Sequence, residues 1–163
     1  MALGEIRAVA LDVDGVLTDG TFIWGSGGED FKRFSFLDVM GISIGTKAGL
    51  VFALISGEDN PLVDRFAQKM GILDVHKGCK DKAAALRDFA RRHKLALKEV
   101  CMMGDDVNDV PAMEIAGLAV APPGAHESAR RVAAIVTGCR GGHGAVRELV
   151  DRLLSSGNEE GRL

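Results

Sequence analysis

Apolar residues come along this chain in short unbroken runs separated by longer segments of mixed polarity. The runs cover 6–11, 50–55, 73–75, 100–103, 118–121 and 134–136. They are continuous rather than alternating, as strands buried on both faces of a parallel sheet are. The segments between them, about 38–48, 60–70, 81–94, 109–116, 126–132 and 143–155, predict helices. Such a βαβα alternation predicts an α/β fold, a three-layer sandwich with right-handed crossovers. The alternation breaks once. Residues 21–24 and 30–34 flank Gly25-Ser26-Gly27-Gly28, which predicts a β-hairpin over about 21–34 inserted after the first strand. The expected organisation is one domain over 1–155 followed by a flexible tail, 156–163.

Composition narrows the picture. A chain of 163 residues, 47% hydrophobic and 26% charged, suits one soluble globular domain. The net charge of −3 argues against a nucleic-acid partner, which needs a basic patch. No apolar run approaches the roughly 20 residues of a membrane span, so no membrane association is expected. Glu5 and Arg7 interrupt the start, which does not read as an export signal. Cys79, Cys101 and Cys139 are odd in number and form no CxxC pair, so the expected compartment is the reducing cytoplasm.

In an open parallel sheet, ligands bind beyond the carboxyl ends of the strands. The first strand is followed by Asp12-Val13-Asp14, the second by Ser56-Gly57-Glu58, and the fourth by Gly104-Asp105-Asp106 with Asp109 close behind. Lys82 lies early in the helix after the third strand. All four groups therefore share one rim. Like-charged carboxylates crowd together only around something positive. Asp12, Asp14 and Asp105 can converge on a hard divalent cation, and such an oxygen-rich site suits Mg2+. Ser56 and Lys82 would hold phosphate oxygens. Asp12, at the strand end, is placed to attack phosphorus and form an aspartyl phosphate. Asp14, two residues on, is placed to protonate the leaving alkoxide and then to activate water. Each residue alone has an ordinary use: a strand-end Asp as a helix N-cap, Ser56 in a turn, Lys82 as a solvated helix lysine. Their coincidence at one edge, in this order, argues for a site.

The set DxDGVxTDG, ISG, a lysine in KDK, and GDDxND resembles the motifs of the haloacid dehalogenase-like phosphatases over nearly the whole chain. The resemblance implies a Rossmann-like fold, Mg2+ and the aspartyl-phosphate route. By motif match Asp12 resembles the nucleophile, Asp14 the acid/base, Ser56 and Lys82 the phosphate-binding pair, Asp105 the third metal carboxylate, and Asp109 the acid that positions the lysine. About forty residues separate Asp14 from Ser56, too few for a cap domain, so the chain resembles the capless branch. That branch acts on 3-deoxy-manno-octulosonate 8-phosphate or 2-keto-3-deoxy-nononate 9-phosphate, as a homotetramer whose hairpins assemble it and whose subunits close each other's sites.

Phe22, Ile23, Trp24 and Phe31 fit an interface hairpin, or a hairpin folded on its own core. Eight-carbon enzymes typically carry Arg after Ser-Gly and Arg-Asp-Gly after the hairpin. Here Glu58 and Leu37-Asp38-Val39 stand there, so the resemblance leans to the nine-carbon type, with Glu58 and Lys69 as substrate contacts. Phe66 stands where an Arg is usual. The loop Gly138-Cys139-Arg140-Gly141-Gly142-His143-Gly144 opens a helix, and the resemblance places it at a neighbour's site; a plain helix-entry loop is the alternative. Two other functions fit the outline: a non-catalytic oligomerisation module, and a phospho-acceptor signalling domain. The intact motif set opposes the first. The acidic pair on the first strand opposes the second.

Overall fold

The computed structural model describes residues 3–159, and the side chains of 3–156. Six parallel strands form one sheet in the order β5-β4-β1-β6-β7-β8: β1 (Ala8–Leu11), β4 (Val51–Ile55), β5 (Asp74–His76), β6 (Val100–Met103), β7 (Leu118–Ala121) and β8 (Ile135–Val136). β1 sits between β4 and β6, with Leu11 level with Leu54 and Met103, so the three strands end together. The expected strands are all present, with boundaries moved by one or two residues.

Successive strand residues point to opposite faces, and both faces are covered. Val9, Leu11, Phe52, Leu54, Met103 and Val120 pack against α1 (Phe36–Lys47), α2 (Pro61–Met70) and α6 (Ala145–Glu159). Ala8, Ala10, Ala53, Ala119 and Ala121 line the other face, against α3 (Lys82–Arg92), α4 (Val110–Ile115) and α5 (Glu127–Val132). Burial on both sides explains why the strands read as unbroken apolar runs.

Helix ends follow local chemistry. The Ser35 hydroxyl accepts from the Leu37 amide and starts α1 two residues before the expected 38. Asn60 caps α2, with Pro61 in its first turn, and Gly71 ends it in the left-handed region at φ 68°. Asp81 accepts from the Ala84 amide and so makes Lys82 the first residue of α3. α6 runs four residues beyond the expected 155. The tail expected from 156 is therefore helical as far as 159, and 160–163 lie outside the described residues.

The hairpin is β2 (Ile23–Trp24) and β3 (Asp30–Phe31), two residues each, paired Ile23 to Phe31 and Trp24 to Asp30. No cap domain is inserted: only the hairpin and α1 lie between β1 and β4. Phe66, where an arginine was the expectation of the resemblance, is buried and stacks on Phe34 at the hairpin base, ring centroids 4.2 Å apart.

Candidate active site

The site forms where β1, β4 and β6 end. The Asp12 amide bonds to the Met103 carbonyl at 3.0 Å, which carries the sheet one residue past β1. The chain then turns tightly, with the Leu17 and Thr18 amides donating to the Val13 carbonyl. Gly15 has φ +91°, and a Cβ there would lie 1.8 Å from an Asp105 oxygen, so glycine is required. The Thr18 hydroxyl accepts from the amides of Gly15 and Gly20 and closes the loop on itself.

Lys82 is the hub. It is 2% exposed, and its ammonium donates to Asp12 Oδ1 and Asp109 Oδ1, each at 2.6 Å. Asp109 Oδ2 accepts from the amides of Asp105 and Asp106 at 2.9 and 3.1 Å. A Cβ at Gly104 would strike Asp109 Cβ at 2.4 Å, so the turn after β6 also needs its glycine. Asp109 is thus committed on both oxygens, to the lysine and to the turn that carries Asp105.

One carboxylate oxygen from each of Asp12, Asp105 and Asp109 lies within 4.8 Å of the others. Burial, with Asp109's charge behind it, lifts the Asp12 carboxyl well above the ordinary range, against the pull of Lys82. Burial and the charge of Asp109 likewise push Asp105 up to about 6. Burial works against the Lys82 ammonium, yet Asp12 and Asp109 outweigh it and hold its pKa up. Three carboxylates share one ammonium, and the cluster lacks positive charge. A hard divalent cation fits that donor set. Since Asp109 is fully engaged, Asp12 and Asp105 are the carboxylates available to hold it.

The expected carboxylate trio was Asp12, Asp14 and Asp105. The structure instead turns the Asp14 side chain toward Lys32, with which it makes a close ion pair from the hairpin's return limb. Ser56 is buried at the end of β4, its amide on the His76 carbonyl at 2.7 Å and its hydroxyl accepting from the Glu58 amide at 3.2 Å. A cavity of about 360 Å3 opens above these groups, lined by Asp12, Asp14, Phe22, Gly57, Glu58 and Lys82 among others, including Asp106 and Asn108. Lys69 does not join it. It is exposed in the last turn of α2, eight residues or about 12 Å of helix beyond Pro61. Within one chain, then, the expected Glu58–Lys69 pair is not assembled.

A second cavity of about 420 Å3 meets the first at Asp105 and holds Arg33, Arg140, Gly141 and His143. A Cβ on Gly141 would lie 1.9 Å from the Gly15 carbonyl oxygen, so the C-terminal loop presses on the Asp12–Asp14 loop. A wider groove of about 700 Å3 along α6 contains none of the acidic cluster and is not the site. Lys32 was missed from sequence because no motif surrounds it. Strand alternation was the available signal: Phe31 faces out, so Lys32 faces in.

The fold and the strand-end cluster define a hydrolase of the haloacid dehalogenase type, and the sequence profile of the haloacid dehalogenase-like hydrolases matches residues 47–149. The chain belongs to that family, and its relatives put it among the phosphoric monoester hydrolases. The 3-deoxy-D-manno-octulosonate 8-phosphate phosphatase of Escherichia coli K12 is 39% identical over 150 residues, 92% of this chain and 80% of that one. The Moraxella catarrhalis enzyme of the same name, solved with magnesium ion, phosphate ion and a KDO molecule, superposes with a TM-score of 0.93 at 34% identity, over 97% of this chain and 91% of that one. The cobalt-bound phosphatase of Haemophilus influenzae gives 0.93 at 32% identity, over 97% and 92%.

Proposed function

We propose that the chain is a Mg2+-dependent phosphatase of a 2-keto-3-deoxy sugar acid phosphate, with 3-deoxy-D-manno-octulosonate 8-phosphate as its substrate. The observation that carries the chemistry is the buried Lys82 ammonium between Asp12 and Asp109, with Asp105 beside them. The substrate rests on the relatives. The eight-carbon alternative is preferred here to the lean toward the nine-carbon acid, which rested on Glu58, Leu37-Asp38-Val39 and Lys69: the named relatives above are eight-carbon enzymes, and Lys69 stands away from the cavity.

Asp12 Oδ attacks phosphorus while the bond from phosphorus to the sugar oxygen breaks. Asp14 gives that oxygen its proton. Asp14 then takes a proton from the water that attacks the aspartyl phosphate, which frees inorganic phosphate and restores Asp12. Ser56 and Lys82 bind phosphoryl oxygens, with the Gly57 backbone alongside. Asp109 holds Lys82 in place. Mg2+, held by Asp12 and Asp105, would neutralise charge on the phosphoryl group.

The hairpin leaves Phe22, Ile23, Trp24 and Phe31 between 45% and 72% exposed, which favours burial against further copies in a homotetramer. Among the described residues no helix is long and apolar enough to cross a membrane. With Cys79, Cys101 and Cys139 all unpaired, we assign the cytoplasm.

Steady-state phosphate release from both sugar acid phosphates, for wild type and Asp12→Asn, tests the reading. Turnover of the octulosonate substrate, lost in Asp12→Asn, is expected. Faster release from the nononate substrate would overturn the substrate, and activity surviving in Asp12→Asn would overturn the nucleophile. Wild type and Asp12→Asn equally inert on every sugar phosphate would favour the non-catalytic module.

A further inference from the structure

We propose that Lys32 is a positioning residue for Asp14, through which the hairpin clasps the catalytic loop and fixes which oxygen of Asp14 handles the proton. Lys32 follows β3 directly. Its side chain is only 6% exposed and its ammonium is paired with Asp14 Oδ1. A lysine so deeply tucked into a short hairpin is not a solvated surface charge. Burying an ammonium is unfavourable unless a counter-charge meets it. The counter-charge here is Asp14.

Three further contacts hold the hairpin down, one to the same loop and two to α2. Arg33 donates to Asp19 Oδ2 at 2.7 Å, so two successive residues of the return limb hold two aspartates of one loop. Lys32 is the buried member of the two, and Arg33, 69% exposed, reaches Asp19 from the surface. Asp19 is firmly engaged: the Thr21 hydroxyl bond, helped by its amide and by Arg33, draws its carboxyl down to about 2. Asn60 reaches Asp30 at 3.5 Å from the start of α2, and Phe34 stacks on Phe66 below. The hairpin is thus seated on the site by its own inner side, whatever its outer apolar side meets.

The consequence for chemistry is geometric. A carboxylate that swings freely presents either oxygen in many orientations. With Oδ1 held by Lys32, Oδ2 is the oxygen left to give its proton to the departing sugar oxygen and to take one from the attacking water. The proton count is unchanged, because what Oδ2 gives in the first step it regains in the second. Nothing in the motifs around Asp12, Ser56, Lys82 and Asp105 supplies this restraint.

This inference rests on the phosphatase reading for its kinetics, and not for its structural half. The test uses the full chain with Mg2+ and octulosonate 8-phosphate, comparing wild type, Lys32→Met and Lys32→Arg. Lys32→Met should lower kcat by about tenfold to a hundredfold, a share of what general acid–base catalysis contributes, with KM within about threefold. Lys32→Arg should recover most of the loss. Amide hydrogen exchange, read with no substrate, should accelerate in 12–20 for Lys32→Met and not for Lys32→Arg.

A kcat for Lys32→Met within about twofold of wild type overturns the proposal. So does a loss carried by KM alone, which would make Lys32 a substrate-binding group. Unchanged exchange in 12–20 overturns the clasp. If wild type turned over no sugar phosphate, the phosphatase reading would fail, and exchange alone would decide whether Lys32 holds the loop.

Discussion

Replacing Asp38 should unseat the C-terminal helix although no motif marks it. Asp38 is 1% exposed, in the first turn of α1, and its carboxylate accepts from the amides of Gly144, Val146 and Arg147 at 3.2, 3.0 and 3.1 Å. These are free donors at the start of α6, so a side chain over a hundred residues away caps that helix. In Asp38→Ala the three donors lose their acceptor. Each orphaned buried donor costs roughly 1–3 kcal/mol. The low end fits, since ending the burial of a charge returns part of the loss, and three bonds then give about 3 kcal/mol. For a chain of this length each kcal/mol moves Tm by about 2–4 °C, so Asp38→Ala should melt about 6–12 °C lower. Asp38→Asn keeps one acceptor oxygen and should lose about half of that.

The pH dependence has a definite sign. Burial raises the Asp38 carboxyl above its ordinary value, against the pull of the three amides. Its contribution is therefore full below about pH 4 and declines as pH rises through the raised value. The margin of wild type over Asp38→Asn should shrink from pH 4 to pH 7. Urea titrations at both values measure it. A Tm for Asp38→Ala within about 2 °C of wild type would mean that water satisfies the three donors, and would refute the argument.

Three other outcomes follow from the packing. Lys82→Met should abolish phosphate release and cost about 3–5 kcal/mol by chemical denaturation, because it leaves buried carboxylates without their counter-charge. Gly41→Ala would place a Cβ 2.8 Å from Arg147 Cα where α1 crosses α6; a loss of about 1–3 kcal/mol is expected, read as a lower urea midpoint. Chelation should stop phosphate release and Mg2+ should restore it. Without substrate, Mg2+ at about a hundred times its Kd should add about 2.7 kcal/mol and raise Tm, and an unmoved melting curve would contradict the acidic cluster as its seat.

The parts of the site legible in the sequence are those fixed by strand ends. Asp12, Ser56 and Asp105 each follow an apolar run, so their shared edge could be inferred without knowing which strands are neighbours. Lys82 was placed by the start expected for the next helix at about 81, and Asp81 caps that helix. The unread parts depend on contacts between distant segments. Lys32 meets Asp14 only once the hairpin folds back, and Asp38 meets α6 only once the first and last helices pack. Lys69 lies outside the cavity of one chain, because spacing along a helix says nothing of how far its axis carries a residue from the rim. The end of α6 was misread because Ser155, Ser156 and Gly157 look like a break, while the helix continues to Glu159.

The alanine-rich side of the sheet bears on all of this from below. Five strand residues on that face are alanines, Ala8, Ala10, Ala53, Ala119 and Ala121, interleaved with Ile55, Val100 and Met102, and the start of α3 lies near enough for its first lysine to reach Asp12. Widening that seam, by valine at Ala53 for instance, would act as a wedge that withdraws the ammonium from between its two acids. The enzyme could then be tuned or silenced from its rear wall with every polar group left as it was.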